Sequence, residues 1–191
     1  MGKHNDTKIG SVLYLEWLKP IFDYYSTLKF KYVIFEILLP LLIGIFCTIK
    51  YTELGKVDVA LDALCELLPT IISILIGFTT MLITLLLTSS GGSIRRLKNI
   101  ITEQELDGSP LSLYQSLHIQ FLHSLFSEIL FLLLVFMYLY LKGFEPSAWV
   151  FVVSLGVFVF YIVNILLSIL RGIVNVYFSF YNKKNDDIDS Q

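Results

Sequence analysis

A row of small polar side chains runs through one of the most apolar stretches of the chain. Between Glu66 and Arg95 the sequence has no charged residue. Within this stretch small residues, all but one of which carry a hydroxyl group, recur every three or four positions, at Thr70, Ser73, Gly77, Thr80, Thr84 and Thr88. These intervals place the six residues, called here the hydroxyl stripe, on one face of a helix. A hydroxyl in hydrocarbon lacks a partner, so we expect the stripe to face protein or water rather than lipid.

The two ends of the hydroxyl stripe carry opposite charges. Glu66 precedes it, and three basic residues, called here the basic collar, follow the turn that ends the apolar run: Arg95, Arg96 and Lys98. Repeated around an oligomer, a hydroxyl-lined face forms a pore wall, with Glu66 drawing cations to the outer mouth. The alternative use of the stripe is close helix packing, which small residues also allow. The collar suits either a polyanionic ligand or the anionic head groups of lipids.

Titratable side chains inside the other apolar segments form a second candidate site. A charge in lipid is costly and therefore marks function by default. We expect Asn164 and Ser168 to meet Glu128 at a similar depth, and Arg171 to lie near His123. This polar network either lines an ion path or ligand cavity, or holds the bundle together by interhelical hydrogen bonds. Glu36 and Glu66 lie near opposite membrane faces, where both can snorkel to the surface.

The residues do not form a pattern typical of an enzyme. His118 and His123 are five positions apart, whereas two metal ligands on one helical face are four apart, and no His-Glu-x-x-His, Gly-x-Ser-x-Gly or Walker sequence occurs. We therefore expect no catalytic residues, no metal and no cofactor. Cys47 and Cys65 fall near the same membrane face, so that a disulfide is conceivable, but a single pair favours two small hydrophobic residues of the helices.

The composition is that of an integral membrane protein. Of 191 residues, 55% are hydrophobic and 16% are charged, against roughly a quarter charged in soluble domains. Several runs reach the ~20 apolar residues that a bilayer requires. We predict an all-α polytopic fold in which a transmembrane domain, residues 32–181, has spans at 32–49, 63–88, 117–141 and 148–181. Within the intervening loop, 89–116, we expect a helix over Ser93–Glu105, and a turn at 107–110 that starts the next helix.

The segments outside the spans predict the topology and a gate. Residues 1–31 form an amphipathic aromatic segment, and residues 182–191 a polar tail. The N-terminal segment is either a membrane-surface helix or a gate that plugs a pore, with three aromatic residues as its contacts: Trp17, Phe22 and Tyr25. Eleven of the fourteen Lys and Arg residues fall on the side of the N-terminus. This bias predicts that both termini are cytoplasmic.

The layout resembles that of small four-span membrane effectors of bacterial anti-phage defence, of the Hailong type. The resemblance is one of architecture across the whole chain, and it implies an oligomeric channel in the bacterial inner membrane. It further implies that short single-stranded DNA, made by a partner nucleotidyltransferase, holds the channel shut. Residues 11–31 would then match a plug, and the basic collar would match the polyanion contact.

We predict that the chain is the pore-forming subunit of an inner-membrane ion channel gated from the cytoplasm. Four helices enclose little water, so that at least four copies must surround the axis within the lipid bilayer. The trigger would be a nucleotide or a single-stranded nucleic acid. A small transporter or accessory membrane subunit, dependent on Glu128 and Asn164, is the alternative. A further alternative is an intramembrane enzyme that depends on His118 or His123.

Overall fold

Helices account for nearly all of the chain that the structure describes, which is residues 19–28, 30–88, 92–106, 108–144 and 147–181. In this computed structural model the elements follow in the order α1 (Lys19–Thr27), α2 (Phe30–Val33), a π-helical turn (Ile34–Leu38), α3 (Leu39–Glu53), α4 (Val57–Thr88), α5 (Gly92–Asn99), β1 (Ile101–Leu106), β2 (Ser109–Ser112), α6 (Leu113–Lys142) and α7 (Ala148–Tyr181).

Four helical stretches in the described residues are long and apolar enough to cross a membrane. They are Ile34–Glu53, Val57–Thr88, Leu113–Lys142 and Ala148–Tyr177. They confirm the prediction of an all-α polytopic fold with four spans. The second and third helices begin earlier than the apolar runs, because Leu61 is fully buried at the start of α4 and Ser112 forms a capping box with Gln115 at the start of α6.

A β-hairpin replaces part of the helix that the sequence predicts after span two. Helix α5 ends at Asn99, and β1 and β2 pair antiparallel, with Leu106 opposite Ser109. The prediction of a helix to Glu105 is therefore wrong, as is the expected helix start at the 107–110 turn. Gly108 has φ +74°, which favours a tight reversal. The Ser112 cap then delays the next helix until Leu113.

The spans do not pack in chain order. Helix α3 packs mainly against α7, and α4 mainly against α6, while α6 and α7 contact each other between them. The core consists of apolar side chains of α4, α6 and α7, including Ile72, Phe131 and Phe158. The Phe131 and Phe158 rings meet edge to face at 5.7 Å, and Phe131 stacks on Tyr161 at 5.3 Å. Aromatic rings thus fill the centre of the protomer.

The contact between α3 and α7 depends on two glycines. A Cβ atom at Gly44 would lie 2.8 Å from the carbonyl oxygen of Gly156, and one at Gly156 would lie 2.9 Å from Thr48 Oγ1. Small residues at a crossing let two backbones approach closely, which is a common source of helix association in membranes. The peripheral span α3 is therefore held to the bundle by a close glycine contact.

We expect Gly44→Ala to destabilise the protein, since the new methyl group meets a backbone oxygen that moves only with its helix. The cost should be about 1–3 kcal/mol, measured as a lower midpoint of thermal unfolding in detergent. Gly77→Ala is the matched control, because no atom lies within 4 Å of the added Cβ. That variant should be neutral or stabilising. Equal midpoints for the two variants would contradict the close contact.

Candidate functional site

The hydroxyl stripe lies on the surface of the protomer. All six of its residues, together with Glu66, are exposed. The buried residues of α4 form a separate set: Leu61, Cys65, Leu68, Ile72, Thr79 and Leu86. At about 100° per residue, the stripe and the buried set are centred on opposite sides of the helix. Within one protomer the stripe therefore faces outward, and α4 packs through its other side.

The hydroxyls of the stripe differ in how they are satisfied. Ser73, Thr84 and Thr88 donate to carbonyl oxygens four residues earlier, at 2.7, 2.9 and 2.8 Å. Such back-bonding satisfies a hydroxyl without any partner outside the helix. Thr70 and Thr80 make no hydrogen bond through their hydroxyls within the described residues. In hydrocarbon an unsatisfied hydroxyl costs free energy, so these two hydroxyls need water or another chain as a partner.

Glu36 is buried rather than snorkelling to a membrane surface. It is 4% exposed, and its Oε1 accepts a hydrogen bond from Arg171 Nη1 at 2.6 Å. The Tyr24 hydroxyl donates to the other oxygen of the carboxylate. Arg171 also lies 4.0 Å from the centre of the Tyr32 ring. The expectation that Glu36 snorkels is therefore wrong, because an opposite charge on α7 and a hydroxyl on α1 satisfy it inside the protein.

Asn164 contacts the backbone of the first span. Its Nδ2 donates to the carbonyl oxygen of Glu36. Pro40 lies four residues after Glu36 and has no N–H, so it cannot donate to this carbonyl as a regular helix would. A carbonyl freed in this way needs another donor in a membrane. The side-chain amide of Asn164 on α7 therefore replaces the hydrogen bond that Pro40 cannot make, next to a π-helical turn at Ile34–Leu38.

Residues of α6 form a polar contact with α7 near the same end of the bundle. Gln120 Nε2 donates to the Ser168 carbonyl oxygen at 2.8 Å, and the Ser124 and Ser168 hydroxyls lie 3.0 Å apart. His123 is 2% exposed and stacks on the Tyr24 ring, with centroids 3.9 Å apart. Arg171 reaches the Tyr24 hydroxyl at 3.4 Å. His123 and Arg171 are thus joined through Tyr24, not by direct contact.

Glu128 does not meet the α7 residues that the sequence assigns to it. It is fully buried, and its Oε1 accepts from Thr79 Oγ1 of α4 at 2.8 Å. Its Oε2 has no partner within the described residues. The Ser124–Ser168 and Phe131–Tyr161 contacts place Asn164 at about the depth of Glu128. The predicted contact is nevertheless wrong, because Glu128 turns towards α4 and Asn164 towards the π-helical turn of the first span.

The predicted gate residues fall on or before α1. Trp17 lies outside the described residues. Phe22 is 69% exposed, and Tyr25 is 39% exposed with its ring edge-on to His123. Helix α1 packs against α6 and β1, so that the described part of the N-terminal segment does not lie under the stripe of its own protomer.

Burial, followed by the nearby Glu36 carboxylate, raises the pKa of Tyr24. The hydroxyl of Tyr24 therefore stays protonated and can donate its hydrogen bond to Glu36.

The histidine and cysteine side chains considered from the sequence lie apart from the stripe. The His118 ring is parallel to that of Tyr114, with centroids 6.5 Å apart, and its Nδ1 has no partner among the described residues. Cys47 and Cys65 are both free thiols. Neither pair therefore forms a bridge or a shared site.

Two residues that join the spans were missed at the level of sequence. Tyr24 resembles its aromatic neighbours in the N-terminal segment, yet it is 3% exposed and binds Glu36. Thr79 lies beside the stripe residue Thr80 in the chain, yet it is fully buried against Glu128. The helical period does separate Thr79 from the stripe, and that was the available signal. No local pattern singles out Tyr24.

Comparison with protein-family models, with curated proteins and with solved structures gives no match for this chain.

The Glu36–Arg171 pair should be strongly coupled. Glu36→Gln and Arg171→Gln each leave a buried charge without its partner, at a cost of about 3–5 kcal/mol. The double variant leaves two neutral groups and should cost clearly less than the sum of the single changes. Unfolding in mixed detergent micelles measures the three values, and strictly additive effects would show that the pair does not stabilise the fold.

Tyr24→Phe should loosen α1 without unfolding the spans, because it removes the hydroxyl that binds Glu36. Hydrogen–deuterium exchange should become at least fivefold faster over residues 19–27. Since the pKa of Tyr24 is raised in the folded protein, this difference should persist up to at least pH 9. Tyr25→Phe is the control, because the Tyr25 hydroxyl makes no hydrogen bond among the described residues. Equal exchange in the two variants would contradict the role of Tyr24.

Proposed function

We propose that the chain is the pore-forming subunit of a homo-oligomeric ion channel, with α4 of each copy facing the central axis. The observation that carries this proposal is the position of the hydroxyl stripe. It runs along the exposed side of a membrane-spanning helix, opposite the side that packs, and the hydroxyls of Thr70 and Thr80 have no partner within the described chain. A ring of copies gives these hydroxyls water and hides them from lipid.

The packing of the protomer favours a path between copies over one through a single copy. The space among α4, α6 and α7 is occupied by Phe131, Phe158 and other apolar side chains. The buried polar groups are satisfied within small local clusters, such as Thr79 with Glu128, and Gln120 and Ser124 with Ser168. Because Glu128 and Asn164 face different helices, the transporter alternative loses the shared site on which it depended.

The charges at the ends of the stripe support cation flow with control from the collar side. Glu66 is exposed at the start of the stripe, where a ring of carboxylates would concentrate cations. The basic collar lies beyond the other end, which the positive-inside bias assigns to the cytoplasm. In this proposal the channel contains four or more copies and lies in a bacterial inner membrane.

The gate belongs to α1 and the chain before it. Tyr24 fastens α1 to Glu36 of the first span, and Arg171 joins the same pair from α7. Displacement of α1 would therefore disturb two spans at once. The resemblance to anti-phage effectors adds the proposal that the channel is toxic when open, and that a nucleotide or short single-stranded nucleic acid controls it.

We expect Thr80→Leu and Thr84→Leu to reduce single-channel conductance in planar bilayers by at least fivefold, since each places an apolar side chain on the wall of the path. Expression and oligomer mass should not change. Thr52→Leu is the matched control, because Thr52 is also exposed and also donates to a carbonyl four residues earlier, at 2.8 Å, but belongs to α3.

Mass measurement in nanodiscs tests the assembly directly. A ring of four or more copies supports the proposal, and a clean monomer would overturn it. Unchanged conductance in both stripe variants would remove α4 from the path, even in an oligomer. Loss of conductance in Thr52→Leu as well would mean that the substitution acts through folding.

A further inference from the structure

Helix α5 has one packed side and one charged side. Leu97 is 5% exposed, and it packs with the half-buried Ile94 against Leu117 and Phe121 of α6. The three residues of the basic collar, Arg95, Arg96 and Lys98, are exposed. The apolar contact therefore fixes which side of α5 faces outward, and that side carries three positive charges.

These charges are not neutralised within the described part of the chain. Arg95 and Arg96 form no ion pair or hydrogen bond through their side chains with any described residue. The Lys98 ammonium lies 5.0 Å from the centre of the Tyr114 ring, a contact that orients the charge without cancelling it. A basic surface that is fixed in place and that the described residues leave uncompensated calls for an anionic partner.

Two exposed apolar side chains adjoin the basic collar in the chain. Ile100 and Ile101 follow α5 directly and are 39% and 71% exposed. Three residues separate α5 from the end of α4, so that chain length keeps Gly92 within about 14 Å of Thr88 at the end of the span. Basic side chains beside exposed isoleucines, at the end of a transmembrane helix, are typical of a lipid interface.

We propose that the basic side of α5 binds the phosphate groups of anionic phospholipids in the adjoining leaflet, while Ile100 and Ile101 enter the interface beside them. The alternative partner, single-stranded nucleic acid, is usually held by aromatic rings on which bases stack. The aromatic ring at this surface, Tyr114, is already covered by Lys98. Isoleucine side chains contact acyl chains well and offer nothing specific to a nucleotide.

The test uses the full-length protein in nanodiscs of phosphatidylcholine alone and of phosphatidylcholine with phosphatidylglycerol in a 3:1 ratio. Hydrogen–deuterium exchange over residues 92–106 should slow at least fivefold when phosphatidylglycerol is present. Native mass spectrometry should find phosphatidylglycerol retained on the released protein. Arg95→Gln with Arg96→Gln should remove most of this slowing and lower the retained phosphatidylglycerol at least tenfold.

Two further variants separate charge from apolar contact. Lys50→Gln with Lys56→Gln removes the same charge from two exposed residues at the junction of α3 and α4, and it should leave lipid retention unchanged. Ile100→Ser with Ile101→Ser should weaken the protection while retaining the charge.

Equal exchange over residues 92–106 in both lipid mixtures for the unmodified protein would overturn the proposal. Full protection by inorganic phosphate in phosphatidylcholine discs would overturn it as well and would indicate a site for a free anion. Protection of residues 92–106 by a 20-nucleotide oligothymidine, but not by phosphatidylglycerol, would assign the surface to nucleic acid. Equal loss of lipid in the Lys50 and Lys56 control would mean that total charge, not this surface, retains the lipid.

Discussion

The ion pair between Glu36 and Arg171 links the first span to α7 and, through Tyr24, to α1. It lies where α1, the first span and α7 meet, and the Tyr24 hydroxyl adds a donor from outside the spans. Two charges leave water together only if their geometry and remaining hydrogen bonds are good. The π-helical turn that contains Glu36, the proline break after it and the Asn164 amide that fills this break all adjoin the pair. The Tyr24 contact with this pair, together with packing against α6 and β1, fixes the position of α1.

Helix α4 separates two uses of the same residue type. Thr79 points into the protein and satisfies Glu128, whereas Thr80, one position later, points away from it. A rotation of about 100° thus divides a buried structural hydroxyl from an exposed one. Because the apolar side of α4 is already used by α6, the exposed side is free for other copies of the chain. This division makes an oligomeric path compatible with a protomer whose own centre is filled by aromatic rings.

The segment after α4 holds the basic collar on a short helix beside the bundle. The hairpin and the Ser112 cap shorten α5 to eight residues, and the Leu97 contact then holds it against α6. The short link of three residues to α4 keeps Arg95 and Arg96 near the end of the span.

The sequence by itself determined the four spans, the stripe on one side of α4 and the depth of the polar residues. These follow from apolar length, the helical period and a rise of about 1.5 Å per residue, which are local properties of a helix. Only the tertiary structure decided which neighbour each polar group meets. Glu128 and Asn164 share a depth but turn to different helices, and Glu36 finds Arg171 more than a hundred positions away. The physical reason is that packing fixes the rotation of a helix about its axis, and packing here places α3 against α7 and not against its neighbour in the chain.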